Sequence, residues 1–298
     1  MADLSRRVKL FLSGADRVRY LNGQVTSNVS QLAPGHSQPA CVTTAKGKLC
    51  AEVMITALTD SLVIDADATL RETLPARLER YIVADDAELQ DGTDDWRLLH
   101  FLPARDEPLD SAPGAAFGDL PRQKSRRLGR DGIDIFLRAE EAEKRFQSLA
   151  GDRVIIDEPL AETLRIEAGI PRWGFELGED TLPPEAGLDR THIDYHKGCY
   201  IGQEVISRLK SVGHVNRQLT GFISEDGGLL SPGMAIFASD SDHRIGSLTS
   251  AAFSFALEKP VALGYLKRGS SSAGLIARPA DSTGPAVRVL VRTLPFDS

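Results

Sequence analysis

The stretch HIDYHKGCYIGQEVISRLKSVGHVNRQ (192–218) concentrates side chains that can do chemistry. Cys199 lies between Gly198 and Gly202, residues that let a backbone bend sharply or approach a ligand closely. Gln203 to Lys210 has helical character, with Val205 and Leu209 four residues apart and Gly213 as a stop. Cys199 then precedes a helix N-terminus, with His196 and Lys197 beside it, a setting that favours the thiolate. The bland alternative is a buried structural cysteine. From Arg190 to Arg217 the net charge is +3, which suits a small anionic ligand. His192, His196 and Cys199 are spaced H-x3-H-x2-C but lack a fourth ligand nearby, so no resident metal is expected.

A second informative stretch is DEPLAETLRIEAGIPRWGFEL (157–177). Asp157 and Glu158 suit a helix N-terminus and Pro159 its first turn, while Gly169 and Pro171 end the helix. Leu160 and Leu164 define an apolar face, and the spacing puts Glu167 on it. A carboxylate there is either paired in the core or lines a cavity, since an unpaired buried charge is costly. Lining a cavity, it would accept two N–H bonds from an aminopyrimidine-like ring.

The elements around these stretches are mixed. VKLFLSG reads as a strand, and GADRVRYLNGQVT as a short helix capped by Asp16 and stopped at Asn22-Gly23. ACVTTAKG, CAEVMIT and SLVIDAD read as hairpin-linked strands. Leu70, Leu74, Leu78 and Tyr81 have helical spacing that Pro75 should kink or divide. WRLLHFLP and GIDIFLRA read as strands, and EEAEKRFQSLAG as a helix ending at Gly151. Residues 104–131 read as a loop. Its run RQKSRRLGR (122–130), with five basic residues in nine, reads as a solvated face, the sharper alternative being an anion or RNA contact. From 214 onward, short apolar runs separated by Gly, Pro, Ser and Asp suggest a small barrel or sandwich. There is no Gly-rich phosphate loop, so the pattern favours α+β packing over a doubly wound sheet.

Composition narrows the class. The chain has 298 residues, a net charge of −7 and 42% apolar residues, ordinary values for a globular protein of two or three domains. The negative balance argues against direct nucleic-acid binding. Three cysteines without a C-x-x-C pair fit a reducing compartment. With no apolar run of membrane-span length and no signal-peptide core, the expectation is a cytoplasmic protein without a membrane partner.

KGCYIGQE (197–204) is similar to the signature of the folate-binding YgfZ branch of the YgfZ/GcvT family. FLSGADRVRYLNGQVTSNV, LRIEAGIP with LPPEAGL, and GSLTSAAFSFALEKPVALGYLKR extend the resemblance along most of the chain. It implies an α+β, three-domain aminomethyltransferase-like fold around a central folate channel. The domains would be a discontinuous folate-binding domain (1–36 plus 152–213), an inserted ferredoxin-like domain (37–151) and a C-terminal β-barrel (214–298). It implies tetrahydrofolate or a one-carbon derivative as cofactor. The function implied is an accessory role in iron–sulfur cluster assembly or repair, with iron–sulfur client or assembly proteins as partners and indirect effects on tRNA modification. Cys199 would be the acting thiol, within a signature of Lys197, Gly198, Tyr200, Gly202, Gln203 and Glu204. Glu167 would hold the pterin, Arg208 the glutamate carboxylate of folate, and Trp173 an aromatic wall. The related aminomethyltransferases carry two adjacent acids where this chain has Ala51-Glu52. Folate-dependent aminomethyl or one-carbon transfer is therefore the alternative function, with Glu52 as a residual acid–base group.

Overall fold

The computed structural model describes residues 1–103, 109, 120–151, 153–211, 213–239, 242–279 and 284–296. Most of the loop expected over 104–131 lies outside these residues. The chain divides into two units, Met1–Asp157 with Asp189–Val205, and Glu158–Leu188 with Ile206–Ser298.

In the first unit, period-2 apolar patterning produces two antiparallel sheets. One contains β1 (Ala2–Asp3), β7 (Trp96–Phe101), β8 (Gln123–Arg127) and β9 (Arg130–Arg138), in the order β1-β7-β9-β8. The other contains β2 (Val8–Ser13), β3 (Ser37–Thr43), β4 (Leu49–Ala57), β5 (Leu62–Ala66) and β6 (Glu88–Asp91), in the order β3-β4-β5-β2-β6. Its edge strands are β3, which contains Pro39, and the four-residue β6. Val63, Leu98 and Phe136 bury a common cluster between the sheets, with Phe11 and Trp96 against it. The other face of β7 and β9 packs Leu99, Ile133 and Ile135 with Ala142 and Leu149 of a helix over Ala139–Ala150. That helix ends at Gly151, whose φ of 49° a side chain would strain.

Three local expectations change. The helix α1 (Arg17–Gln24) runs through Asn22-Gly23 and stops only at Val25, whose extended backbone ends it. Asp16 does not cap it, because its carboxylate accepts from the backbone N–H of Asp86 and from Arg19 instead. The basic run is a strand rather than a solvated loop. In β8, Gln123, Ser125 and Arg127 point inward, whereas Lys124 and Arg126 are exposed. Arg127 bridges the two sheets, binding Asp65 Oδ2 at 2.7 Å and Asp134 Oδ2 at 2.8 Å. Asp65 also binds Arg7, and Asp134 binds His100 Nδ1 at 2.7 Å. Charge counting missed this, since a strand hides every second side chain. Pro75 does divide its segment, leaving a 3₁₀ turn over Ala68–Leu70 and α2 (Thr73–Glu79), where Pro75 needs no N–H in the first turn.

The second unit contains a closed barrel of β10 (Arg217–Ser224), β11 (Ala235–Ala238), β12 (Arg244–Ser254), β13 (Lys259–Lys267), β14 (Leu275–Arg278) and β15 (Val287–Arg292). Each strand contributes to the interior, with Phe222, Ile236, Leu248, Ala262, Ala277 and Val289 in one cluster. The outer face of β10 and β13 presents Leu219, Ile223, Val261, Leu263 and Tyr265, which pack with Ile166 and Phe296. Ile166 belongs to the helix over Glu158–Glu167, which we label α4, the Ala139–Ala150 helix being α3. The buried face of α4 carries Thr163, Arg165 and Ile166, not Leu160 and Leu164, which are half-buried. Barrel contact therefore sets the helix's rotation, with one guanidinium on the buried side. No helix among the described residues is long and apolar enough to cross a membrane.

Candidate functional site

The segment 189–205 of the first unit is held by hydrogen bonds to the strands and loops around β3 and β4. Thr26 Oγ1 donates to His192 O at 2.6 Å, and Asp194 N donates to Thr26 O at 3.0 Å. Thr43 Oγ1 donates to Ile201 O at 2.5 Å. Lys197 is buried, with its ammonium donating to Asn22 O at 2.5 Å, Val25 O at 2.7 Å and Ser27 O at 2.8 Å. Two of these carbonyls lie at the α1 C-terminus, where the helix dipole favours a cation. Burial pulls its pKa down to about 8. Lys197 is thus committed to holding the turn that carries Cys199.

Cys199 itself is exposed. The helix α5 (Gln203–Ser211) starts four residues later. The two flanking glycines differ. Gly202 has φ +90°, and a Cβ there would lie 2.5 Å from Thr44 O. Nothing lies within 4 Å of a Cβ at Gly198, so only Gly202 is sterically required. Tyr200 is buried with no hydrogen-bond partner for its hydroxyl among the described residues, and Gln203 N donates to its carbonyl. Glu204 occupies the first turn of α5. Cys41 is fully buried and burial raises its thiol pKa well above the usual range, whereas Cys50 is half-buried.

Glu52, on β4, meets His192 Nε2 at 3.3 Å. Burial opposes its charged form. The hydrogen bond and charge of His192, together with Arg7, outweigh that opposition and hold the carboxyl below its ordinary value. Thr191 Oγ1 lies 2.7 Å from His192 Nδ1, so hydroxyl, imidazole and carboxylate form a row. Thr191 also lines a polar cavity of about 310 Å³ with Ser27, Asn28, Gln31, Gln38 and Asp194. Asp194 is held below its ordinary value mainly by the N–H of His196. Sequence spacing could not pair Glu52 with His192, because the two lie 140 residues apart. Among the described residues no group of three or more His, Cys, Asp or Glu side chains is arranged to hold a metal.

In the second unit, α4 is fixed to β12 by a buried polar network. Arg165 pairs with Glu162, donates to Glu176 Oε2 at 3.1 Å, to Ile170 O at 2.9 Å and to Ser250 Oγ at 2.5 Å. The second oxygen of Glu176 accepts from Thr249 and Ser250 hydroxyls, each at 2.6 Å. A buried ion pair needs such additional partners to offset desolvation. At the end of the same helix, Glu167 is half-buried, and Ser254 Oγ donates to its Oε1 at 2.6 Å. Its backbone carbonyl accepts from Phe296 N at 2.9 Å. Trp173 is half-buried on the following turn, where Leu177 bridges it. Arg208 is exposed in the last turn of α5. Glu167, Trp173 and Arg208 therefore lie in one unit, and Cys199 with Lys197–Glu204 in the other, the boundary falling after Val205. Reading the sequence missed Ser254, Arg165 and Glu176. Arg165 beside Glu162 was a visible i, i+3 ion pair on the helix, whereas Ser254 carries no local signal.

Comparison with known proteins bears on the whole chain. A family model described as the glycine cleavage T-protein C-terminal barrel domain matches residues 217–296. An aminomethyltransferase of Rubrobacter xylanophilus is 27% identical over 283 residues, covering 89% of this chain and 75% of that protein. One from Streptomyces avermitilis is 26% identical over 320 residues, covering 99% and 85%. The crystal structure of glycine cleavage system aminomethyltransferase T from Bartonella henselae superposes with a TM-score of 0.85 at 20% identity, over 99% of this chain and 85% of that one. The chain has the aminomethyltransferase fold with a C-terminal barrel.

Proposed function

We propose that this chain binds tetrahydrofolate and acts in chemistry of the one-carbon unit that tetrahydrofolate carries. The observation that carries this reading is the Glu167 carboxylate, half-buried at the end of α4 and held through Oε1 by Ser254. An acceptor-only group fixed in this way fits a ring that presents two adjacent N–H donors, as a pterin does. The fold and the names of the relatives support the same reading. Bound tetrahydrofolate would supply the N5 and N10 atoms that carry a one-carbon group. The chain's own part is to orient the ring through Glu167, with Trp173 as a wall and Arg208 as partner for the glutamate carboxylate. The division into 1–36 plus 152–213, 37–151 and 214–298 belongs to this reading. Calorimetric titration with tetrahydrofolate tests it: wild type binds, and Glu167→Gln loses most of the affinity. Absence of heat with wild type would end it.

Within this reading, the relatives' names favour aminomethyl transfer. Two observations favour a thiol-dependent accessory role of the YgfZ type, serving iron–sulfur proteins. Cys199 is exposed, and Ala51 is a fully buried alanine where an acid would stand. Ammonia release from an aminomethylated donor in the presence of tetrahydrofolate supports transfer. No release, with loss of iron–sulfur enzyme activity in cells carrying Cys199→Ala, supports the accessory role.

A further inference from the structure

The polar cavity of about 310 Å³ in the first unit has a one-sided chemistry. Of the residues that line it only Asp194 is charged, and no lysine, arginine or histidine is among them. The backbone N–H of His196 donates to Asp194 Oδ1 at 2.7 Å, and Asn28 and the backbone of Lys197 also donate to the carboxylate, which lies below its ordinary value for that reason. Three donors fill three of its roughly four lone-pair sites, so about one is left. A second acceptor comes from β3. Cys41 directs both its N–H and its carbonyl away from β4, to Thr26 Oγ1 and Thr26 N. Pro39, two residues earlier on the strand, points the same way, and having no N–H it presents only a carbonyl. No backbone N–H among the described residues donates to that carbonyl. Gln38 supplies a third acceptor, since its Nε2 donates to Ser27 Oγ at 3.1 Å and its Oε1 can only accept. The buried Lys197 ammonium, which donates to Ser27 O, spends all three N–H groups on carbonyls and gives the cavity no donor.

We infer that this cavity binds the primary ammonium group of a small aliphatic amine, at a site that shares no residue with the folate reading and stands or falls without it. A primary ammonium is a compact charge with three N–H donors and no acceptor. Three acceptors border the cavity, the Asp194 carboxylate, Pro39 O and Gln38 Oε1, and one of them is ionised. Number and sign therefore both match. A carboxylate or phosphate ligand would face the Asp194 charge with no counter-ion beside it. A neutral alcohol brings one donor and no charge, and a quaternary ammonium brings charge without an N–H. Ile193 and the Pro39 ring offer apolar surface to the alkyl chain of the ligand. The net charge of −7 adds a long-range attraction that salt screens.

The test is titration of the full chain with n-butylammonium chloride, 1-butanol and tetramethylammonium chloride at one fixed ionic strength, read by amide-resolved NMR. Butylammonium should shift the amides of Ser27, Asn28, Thr191 and Asp194 saturably, with a dissociation constant of about 1–10 mM. Butanol lacks the charge and tetramethylammonium lacks the donors, so each should bind at least about tenfold more weakly. Asp194→Asn keeps an acceptor for the His196 N–H and removes the charge. It should weaken butylammonium by about tenfold or more and leave butanol unchanged. If that variant folds badly, the comparison of the three probes on wild type decides. An equal response to all three, shifts scattered over acidic residues elsewhere on the surface, no saturation by about 100 mM, or an unchanged affinity in Asp194→Asn each overturns the site.

Discussion

The ammonium of Lys197 sits 2.7 Å from the carbonyl oxygen of Val25, the residue that ends α1. With Asn22 O and Ser27 O it completes a three-carbonyl cradle. The lysine of the signature therefore ties the Cys199 turn to the end of a helix.

Lys197→Met should leave these carbonyls without their shared donor and cost about 2–4 kcal/mol of stability, more than one lost hydrogen bond. Lys197→Arg should not restore it, because a planar fork cannot replace a point charge among three converging oxygens. Urea unfolding of the three proteins measures this. Equal midpoints for wild type and Lys197→Met would show the cradle to be energetically idle.

The glycines either side of Cys199 should respond differently. Gly202→Ala meets both a positive φ and Thr44 O, so a loss of about 2 kcal/mol or more is expected. Gly198→Ala meets open space and should change stability by less than about 0.5 kcal/mol. Thermal melts of the two variants distinguish them, and similar losses would contradict the backbone placement of the signature.

Alkylation with iodoacetamide should modify Cys199 first in the folded protein, and Cys41 only after denaturation. Mass spectrometry of the labelled peptides reads the order. Cys199→Ala should retain wild-type stability within about 0.5 kcal/mol, as exposed substitutions usually do. Labelling of Cys41 ahead of Cys199 would refute the assignment of exposure.

Acid should act through Asp134. Burial works against its charge, but Arg127 and the hydrogen bond from His100 bring its pKa down from 3.8 to about 2. Unfolded chains then bind more protons than folded ones in this range. The stabilisation is complete above about pH 5 and is lost as pH falls through 2, amounting to about 2 kcal/mol. Stability measured from pH 6 to pH 2 should fall accordingly, and the fall should shrink in Asp134→Asn. A wild-type curve that is flat over this range would exclude the linkage.

Fold class was legible from spacing. The hairpins of β3, β4 and β5, the helix ending at Gly151 and the run of short strands after 214 follow from period-2 or period-3.6 patterning and turn residues, whereas patterning left barrel and sandwich both open and the family resemblance pointed to the barrel. Rotation and partnership were less accessible. The apolar stripe of α4 pointed to Leu160 and Leu164, yet Arg165 faces inward because Glu176, Ser250 and Ile170 O meet it there. Arg127 was hidden in a run of like charges, since its partners Asp65 and Asp134 come from other strands. Ser254 is 87 residues from Glu167, and nothing local in FALEK or AAFSF marks the contact. Long-range polar pairs were thus what the sequence withheld.

The closed barrel presents no free edge, so the open backbone rows lie at the margins of the sheets in the first unit. Along β3, Pro39 removes one donor from the outer row, while β6 is short and bears Glu88 and Asp91. Both features impede docking of a strand from a second molecule. Two residues further on, that row is already occupied, since Cys41 N donates to Thr26 Oγ1 at 2.8 Å and Thr26 N donates to Cys41 O at 3.0 Å. Pro39→Val would therefore return a single donor and no continuous template, and light scattering on mild heating should match that of wild type.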